Sequence, residues 1–325
     1  MAVYAFGLRM TPDPSFRKRS YTEWLERLEA ARTWFAIDCG RVAQYSQLIT
    51  DFYEKGARSP RHFLAVGESW EIVRLFDLWE DRIAAFPGLA ETLRTAFAKG
   101  PALREEENLT TLSNRPRNDA FVYLVAGTLL SAGVPVIAVD GKVVRNETCK
   151  SKTDATFRWE DLLINVECKR PQSQKALGKL TKEARGQIED PSRGGCHGVI
   201  ALDCSVVIRP KWNLLGCDSE EAAKQSERSI SMWLEKSILP QIKMHLNESI
   251  LGFILFAKVP AKIQKHTSPV VTALGEPIHE FRLDCISTWV VAGNEQHPHQ
   301  HQILRHAAGR LEQQQARSNK PDSQS

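Results

Sequence analysis

Apolar and polar residues alternate most sharply in two neighbouring stretches of this chain. In the first, Ala155, Phe157 and Trp159 alternate with Asp154, Thr156 and Arg158; in the second, Leu162, Ile164, Val166 and Cys168 are set against Asn165, Glu167 and Lys169. A period of two describes strands with one packed face and one polar face. With Glu160-Asp161 at the tip of a hairpin, Asp154 falls opposite Glu167 and points to the same face. Directly opposed residues have Cβ atoms about 4.5–5.5 Å apart, close enough for two carboxylates to share a divalent cation. Lys169 joins them. Glu-Asp is a poor two-residue tip compared with Asn-Gly or Asp-Gly, but a four-residue loop over 159–162 keeps the same register.

The surrounding pattern predicts further elements. Asp119 opens a helical stretch ending at Gly133, a strand follows over 134–139, residues 172–189 are helical with Leu177, Leu180, Ala184 and Ile188 on the apolar side, and 198–208 returns as a strand. Residues 120–139 carry no charge over a length that could span a bilayer, but Gly133 and Pro135 break the run into a helix and a buried strand. No membrane partner is expected.

Residues 1–103 read as a helical accessory domain: Ser20-Tyr21-Thr22-Glu23 fits a capping box before Trp24, Leu25, Leu28 and Ala31, and Trp70, Val73, Phe76, Leu78 and Ile83 follow a helix-compatible pattern. Arg104–Asn118, with Pro116, reads as a connector opening the second domain, 104–293. Within it Asp218-Ser219-Glu220-Glu221 starts a helix running through Met232, Trp233 and Ile238 towards Leu246, kinked at Pro240. The β-rich segments 250–257 and 285–292 extend the sheet. Residues 294–325, rich in Gln, His and Ser, read as a mobile polar tail, in which His297, His299 and His301 are better explained by solvation than by a metal.

Composition adds bounds. At 325 residues, 42% hydrophobic and 25% charged, the chain is of ordinary soluble type, and a net charge of +4 is too mild to argue for nucleic acid by itself. Seven cysteines, odd in number and irregularly spaced, with no secretory signal in Met1–Met10, indicate a reducing cytoplasm without disulfides. Cys196, His197, Cys204 and Cys217 lack a paired CxxC spacing and read as structural. Neither a GxxxxGK phosphate loop nor a GxSxG elbow is present, which speaks against an ATP motor and a serine hydrolase.

Asp154, the Glu167-Cys168-Lys169 run and the order of elements around them resemble the PD-(D/E)xK nuclease superfamily over roughly residues 117–208, with Thr153 where the family name has Pro. The resemblance implies an α/β, restriction-endonuclease-like core, a mixed sheet flanked by helices, behind the N-terminal helical domain. It implies a nuclease acting on DNA more readily than RNA, of the type used in restriction, phage defence or repair. Asp154, Glu167 and Lys169 would be catalytic, with Mg²⁺ or Mn²⁺ held by Asp154, Glu167 and the main-chain carbonyl of Cys168. Lys169 would polarise the attacking water and stabilise charge near the phosphate.

Two accessory positions follow from the same likeness. Asp119 is either a further acid facing the metal or a helix N-terminal charge, and Gln187 borders the apolar side of its helix where relatives aim a polar residue at the site. Arg170, Lys175, Lys179, Lys182 and Arg185 form a basic run suited to a phosphate backbone, with Arg170 the best single contact and a solvated helix face the plain alternative. Relatives often dimerise, and the helical domain could meet a regulatory partner. The competing function is a nucleic-acid-binding or assembly module on the same fold that does not cut, or cuts only when activated.

Overall fold

The structure is a computed structural model, and it describes residues 8–10, 21–36, 40–55, 59–103, 106–107, 113–150, 152–193, 197–264, 270–271, 277–278 and 281–294. After strand β1 (Leu8–Met10) come helices α1 (Tyr21–Trp34), α2 (Arg41–Glu54), α3 (Pro60–Trp79) and α4 (Leu89–Ala98). Ser20, Cys196, and His297, His299 and His301 lie outside the described residues, so the expectations on them do too.

Helix α5 (Arg115–Ser131) starts within the expected connector, because Pro116 occupies its first turn, where a missing N–H costs nothing. It ends at Gly133, whose φ of 75° turns the chain: Val134 N donates to Leu129 O at 3.0 Å and Gly133 N to Leu130 O at 2.9 Å. These paired bonds close a Schellman motif and explain why the uncharged run 120–139 splits into helix and strand. Among the described residues, no helix is long and apolar enough to cross a membrane.

Strands β2 (Val136–Val139), β3 (Lys142–Val143), β4 (Ala155–Trp159) and β5 (Leu162–Lys169) follow, then helix α6 (Gln174–Glu189) and strand β6 (Gly198–Asp203). The helix, meander, helix and strand expected around the motif are therefore present in that order. Strand β6 stops before the expected end at 208 because Asp203 Oδ1 accepts from Ser205 N at 3.0 Å and turns the chain.

Strand β7 (Leu215–Cys217) precedes helix α7 (Glu220–Trp233), whose N-cap Ser219 accepts from Ala222 N at 3.1 Å. A π-helical turn, Leu234–Ile238, then leads into the short helix α8 (Leu239–Ile242) containing Pro240. Proline removes a rung from the ladder, and the wider turn accommodates the loss. Strands β8 (Ile250–Gln264) and β11 (Phe281–Gly293) are far longer than the segments expected, and between them β9 (Val270–Val271) pairs with β10 (Pro277–Ile278).

The main sheet is mixed and open, in the order β1-β11-β8-β6-β5-β4-β2-β3, with β7 paired to β8. Strands β5, β6 and β8 run parallel; β2, β4 and β5 form an antiparallel meander. Helices α6 and α7 cover one face, where Leu177, Ala184, Ile188 and Ile230 meet Ile200, Leu202, Phe253 and Val290. The N-terminal helices and α5 cover the other, so that Trp70, Val73 and Leu124 share one cluster with Phe157, Val166, Val199 and Phe256. Helix α5 lies close on α3 at Gly127, where a Cβ would stand 2.9 Å from Trp79 Nε1. The boundary expected at residue 103 thus marks a change of secondary structure, while the hydrophobic cluster runs across it.

Charge bridges the same layers. Arg117 pairs with Glu68 and, at 2.8 Å, with Glu107; Arg170 reaches Glu107 at 2.9 Å and Asp203 at 3.1 Å. Lys258 meets Glu71 at 3.1 Å and Arg41 meets Glu71 at 3.5 Å. This buried lattice joins α2, α3 and α5 to the ends of β5 and β6 and to β8. The last described residue, Asn294, belongs to the core rather than to a tail: it is buried and its Nδ2 donates to Asn247 O at 2.8 Å.

Candidate active site

The hairpin of β4 and β5 has the expected register. Ala155 pairs with Val166 and Trp159 with Leu162, leaving Glu160-Asp161 as a two-residue turn in which Glu160 takes φ 51°. The unfavourable tip is therefore used, and no wider loop is needed. Just beyond the last rung, Asp154 Oδ2 accepts from the Cys168 amide at 2.7 Å, which fixes that carboxylate beside Glu167. In a strand, N–H and C=O of one residue point to the same edge. The Cys168 carbonyl accordingly faces the Asp154 side, while its thiol lies in the core cluster.

The polar face of the hairpin is largely buried. Thr156, Asn165 and Glu167 are each 1% exposed. Alternation identifies the side chains sharing a face, and helix α6 with its following turn covers it. Thr153 Oγ1 and Thr156 Oγ1 each donate to Asn165 Oδ1 at 3.2 Å, satisfying part of this interior.

Glu167 is electrostatically strained. Burial pushes its carboxyl up to about 7, neighbouring Asp154 adds to the rise, and Lys169 and Arg193 oppose it. Lys169 Nζ is 3.5 Å from Glu167 Oε2 and 3.8 Å from Glu183. Arg193 Nη2 is 3.4 Å from Glu167 Oε1, an oxygen that is buried and accepts no hydrogen bond. Asp154 is likewise raised, chiefly by burial, with the Cys168 amide pulling the other way.

Two more acids adjoin this pair. Asp119, the fifth residue of α5, is raised to about 6 by burial and by Asp140 and Asp154, and lies 3.8 Å from Arg115. It stands past the N-terminal cap and feels the charges of Asp140 and Asp154. Asp140 is an addition that the sequence patterns above do not single out. It occupies the β2–β3 turn with φ 48°, its amide donates to Asp154 O at 2.8 Å, and its Oδ2 accepts from Tyr123 at 3.1 Å. The signal that could have found it is Asp140-Gly141, a strong hairpin dipeptide.

Arg170, expected as a phosphate contact, is 7% exposed and engaged inside: besides Glu107 and Asp203 it donates to Asn118 Oδ1 at 3.2 Å. Burying a guanidinium requires such partners, and they occupy its donors. Lys175, Lys179 and Lys182 are exposed along one side of α6, as expected of a helix spacing of four and three. Arg185 turns to Glu189 at 2.8 Å. Gln187 lies four residues beyond Glu183, on the same helix face, and its Oε1 is buried without a hydrogen bond. Arg193, a second addition, follows α6 in the turn Pro191–Arg193, where no periodicity marks it.

The donor set fits a hard divalent ion. Asp154, Glu167 and the Cys168 carbonyl are oxygen donors, and Glu167 Oε1 is a buried acceptor without a proton donor. Among the described residues, no group of three His, Cys, Asp or Glu side chains is placed to hold a metal. An ion here would take its remaining ligands from main chain, solvent or substrate, as Mg²⁺ commonly does. Cys204 and Cys217 are buried, as expected. Set against protein-family models, curated proteins and solved structures, the chain matches none.

Proposed function

We propose that this chain is a divalent-metal-dependent nuclease of the PD-(D/E)xK type, hydrolysing phosphodiester bonds in nucleic acid, with DNA favoured by the resemblance. The observation that carries the reading is the juxtaposition of two interior carboxylates, Asp154 and Glu167, with the ammonium of Lys169 at 3.5 Å from the second. Burying like charges together is unfavourable unless a cation compensates, and a divalent ion does so better than one lysine.

Mg²⁺ or Mn²⁺, when bound, would supply Lewis-acid polarisation of the phosphate and a more acidic water. Asp154, Glu167 and the Cys168 carbonyl would hold it. Lys169 donates N–H bonds towards a non-bridging phosphate oxygen and orients the attacking water. As the water oxygen bonds phosphorus, one of its protons passes to solvent. The bond from phosphorus to the leaving oxygen breaks with its electron pair on that oxygen, which takes a proton from water. Exposed Lys175, Lys179 and Lys182 would track the backbone beside the site.

A binding-only module is the second reading, supported by the lack of a third side-chain ligand among the described residues. Incubating the protein with supercoiled and linear duplex DNA, single-stranded DNA and RNA, under Mg²⁺, Mn²⁺ or EDTA, separates the two. Metal-dependent cutting that Lys169→Ala loses while retaining nucleic-acid binding supports the nuclease. Binding without cutting in any metal supports the module.

A further inference from the structure

Resting on the nuclease reading, we infer that Arg193 is a further residue of the reaction, a phosphate-binding guanidinium that pairs with Glu167 until metal arrives. Three observations converge on it. Its Nη2 is 3.4 Å from Glu167 Oε1, on the opposite carboxylate oxygen from Lys169, so Glu167 is held between two cations. That oxygen is the buried acceptor with no hydrogen bond, the place a cation is most wanted. The same Nη2 donates to Lys152 O, and Lys152 N donates to Arg193 O at 3.1 Å, tying Arg193 to the segment that leads into Asp154.

The remaining donors decide what the side chain can do. Among the described residues, Nε and Nη1 of Arg193 donate to nothing, and the side chain is 22% exposed. It therefore sits part-exposed, with Nη2 engaged and Nε and Nη1 open. Arg170 is the reverse case, buried with each of its three guanidinium nitrogens engaged. Each parallel N–H pair of a guanidinium, Nε with Nη2 or Nη1 with Nη2, includes Nη2, so release of Nη2 from Glu167 would complete a fork for two phosphate oxygens, a geometry an ammonium cannot reproduce. Arg193 would give up Oε1 to a divalent ion held by Glu167, while the Lys152 carbonyl would keep the guanidinium within reach of a phosphate entering beside Lys169. Arg193 thus balances the charge of Glu167 without metal and would bind substrate with it.

The alternative is a clamp that only holds Lys152 to the turn after α6, and charge separates the two. Arg193→Gln retains an N–H donor for the Lys152 carbonyl and removes the cation; Arg193→Lys keeps the cation and removes the fork. Measured by titration calorimetry with MnCl₂ and no nucleic acid, Arg193→Gln should bind Mn²⁺ several-fold more tightly than wild type, and Arg193→Lys about equally. In single-turnover cleavage of linear duplex DNA at saturating Mn²⁺, both should be slower by about tenfold to a hundredfold, the range for removing a charge-assisted hydrogen bond. Weaker Mn²⁺ binding by Arg193→Gln, or wild-type cleavage rates in both variants, would overturn the inference while leaving the nuclease reading intact. A wild-type protein that binds Mn²⁺ but never cuts removes that reading, and this one with it.

Discussion

The Cys168 amide holds Asp154 Oδ2 at 2.7 Å, across the open end of the hairpin where the regular ladder has already stopped. One main-chain donor thus sets the direction of a carboxylate that no strand pairing positions. An aspartate here is placed by hydrogen bonding, and its charge can be removed without moving it.

Asp154→Asn retains an oxygen for the Cys168 amide and discards the charge, so its thermal unfolding should match wild type. Metal-dependent cleavage should fall by at least ~10²-fold, the loss typical of removing one electrostatic stabiliser. Glu167→Gln should behave alike. Wild-type cutting by either folded variant would take that residue out of the metal site.

Glu167 predicts a pH dependence of stability with a definite sign. Its folded-state carboxyl titrates at about 7 against 4.5 for the ordinary value, so between these values the native state holds a proton that the unfolded chain has lost. Stability without metal should therefore be greatest below the lower value and decline as pH rises towards the upper one. Denaturant unfolding in EDTA across that window should show the decline in wild type and a flatter profile in Glu167→Gln. Equal slopes would mean that Glu167 titrates normally.

Arg170→Met tests whether the residue after Lys169 is structural. Removing the guanidinium leaves Glu107 and Asp203 short of a buried partner and should cost about 3–5 kcal/mol of stability, read by urea unfolding. A phosphate contact would instead lower DNA affinity at little cost to the fold.

Changing Lys175, Lys179 and Lys182 together to Gln should weaken DNA binding and flatten its dependence on salt by about 0.9 in log–log slope for each phosphate that is no longer neutralised. Cleavage at saturating DNA should change less. Because all three are exposed, the melting temperature should stay close to wild type. An unaltered slope would leave α6 as a solvated face and move the nucleic-acid surface elsewhere.

The register of the hairpin is legible in the sequence because period-two alternation on both arms admits few pairings, and Asp154 opposite Glu167 is one that keeps Phe157 and Ile164 inside. The helix–strand break at Gly133 is legible for a similar local reason. What covers the polar face is not: alternation groups Thr156, Asn165 and Glu167 but is silent about the helix laid over them. Arg170 misleads a reading of the sequence because its partners are distant in the chain, Glu107 by 63 residues and Asp203 by 33. Asp140 escapes for a different reason. Its Asp-Gly turn joins strands too short to register as alternation.

The ion lattice linking Arg41, Glu68, Glu71, Glu107, Arg117, Arg170, Asp203 and Lys258 makes the helical layer and the sheet a single inheritance. A chain cut at residue 103 would leave Arg117 and Lys258 without Glu68 or Glu71, and would strip the cover from Phe256 and Trp289. The hairpin that bears Asp154 and Glu167 is thus a poor candidate for transplantation as a portable cassette. Any substitution of one lattice member is constrained by the charge of its neighbours, so these positions should change in concert or not at all.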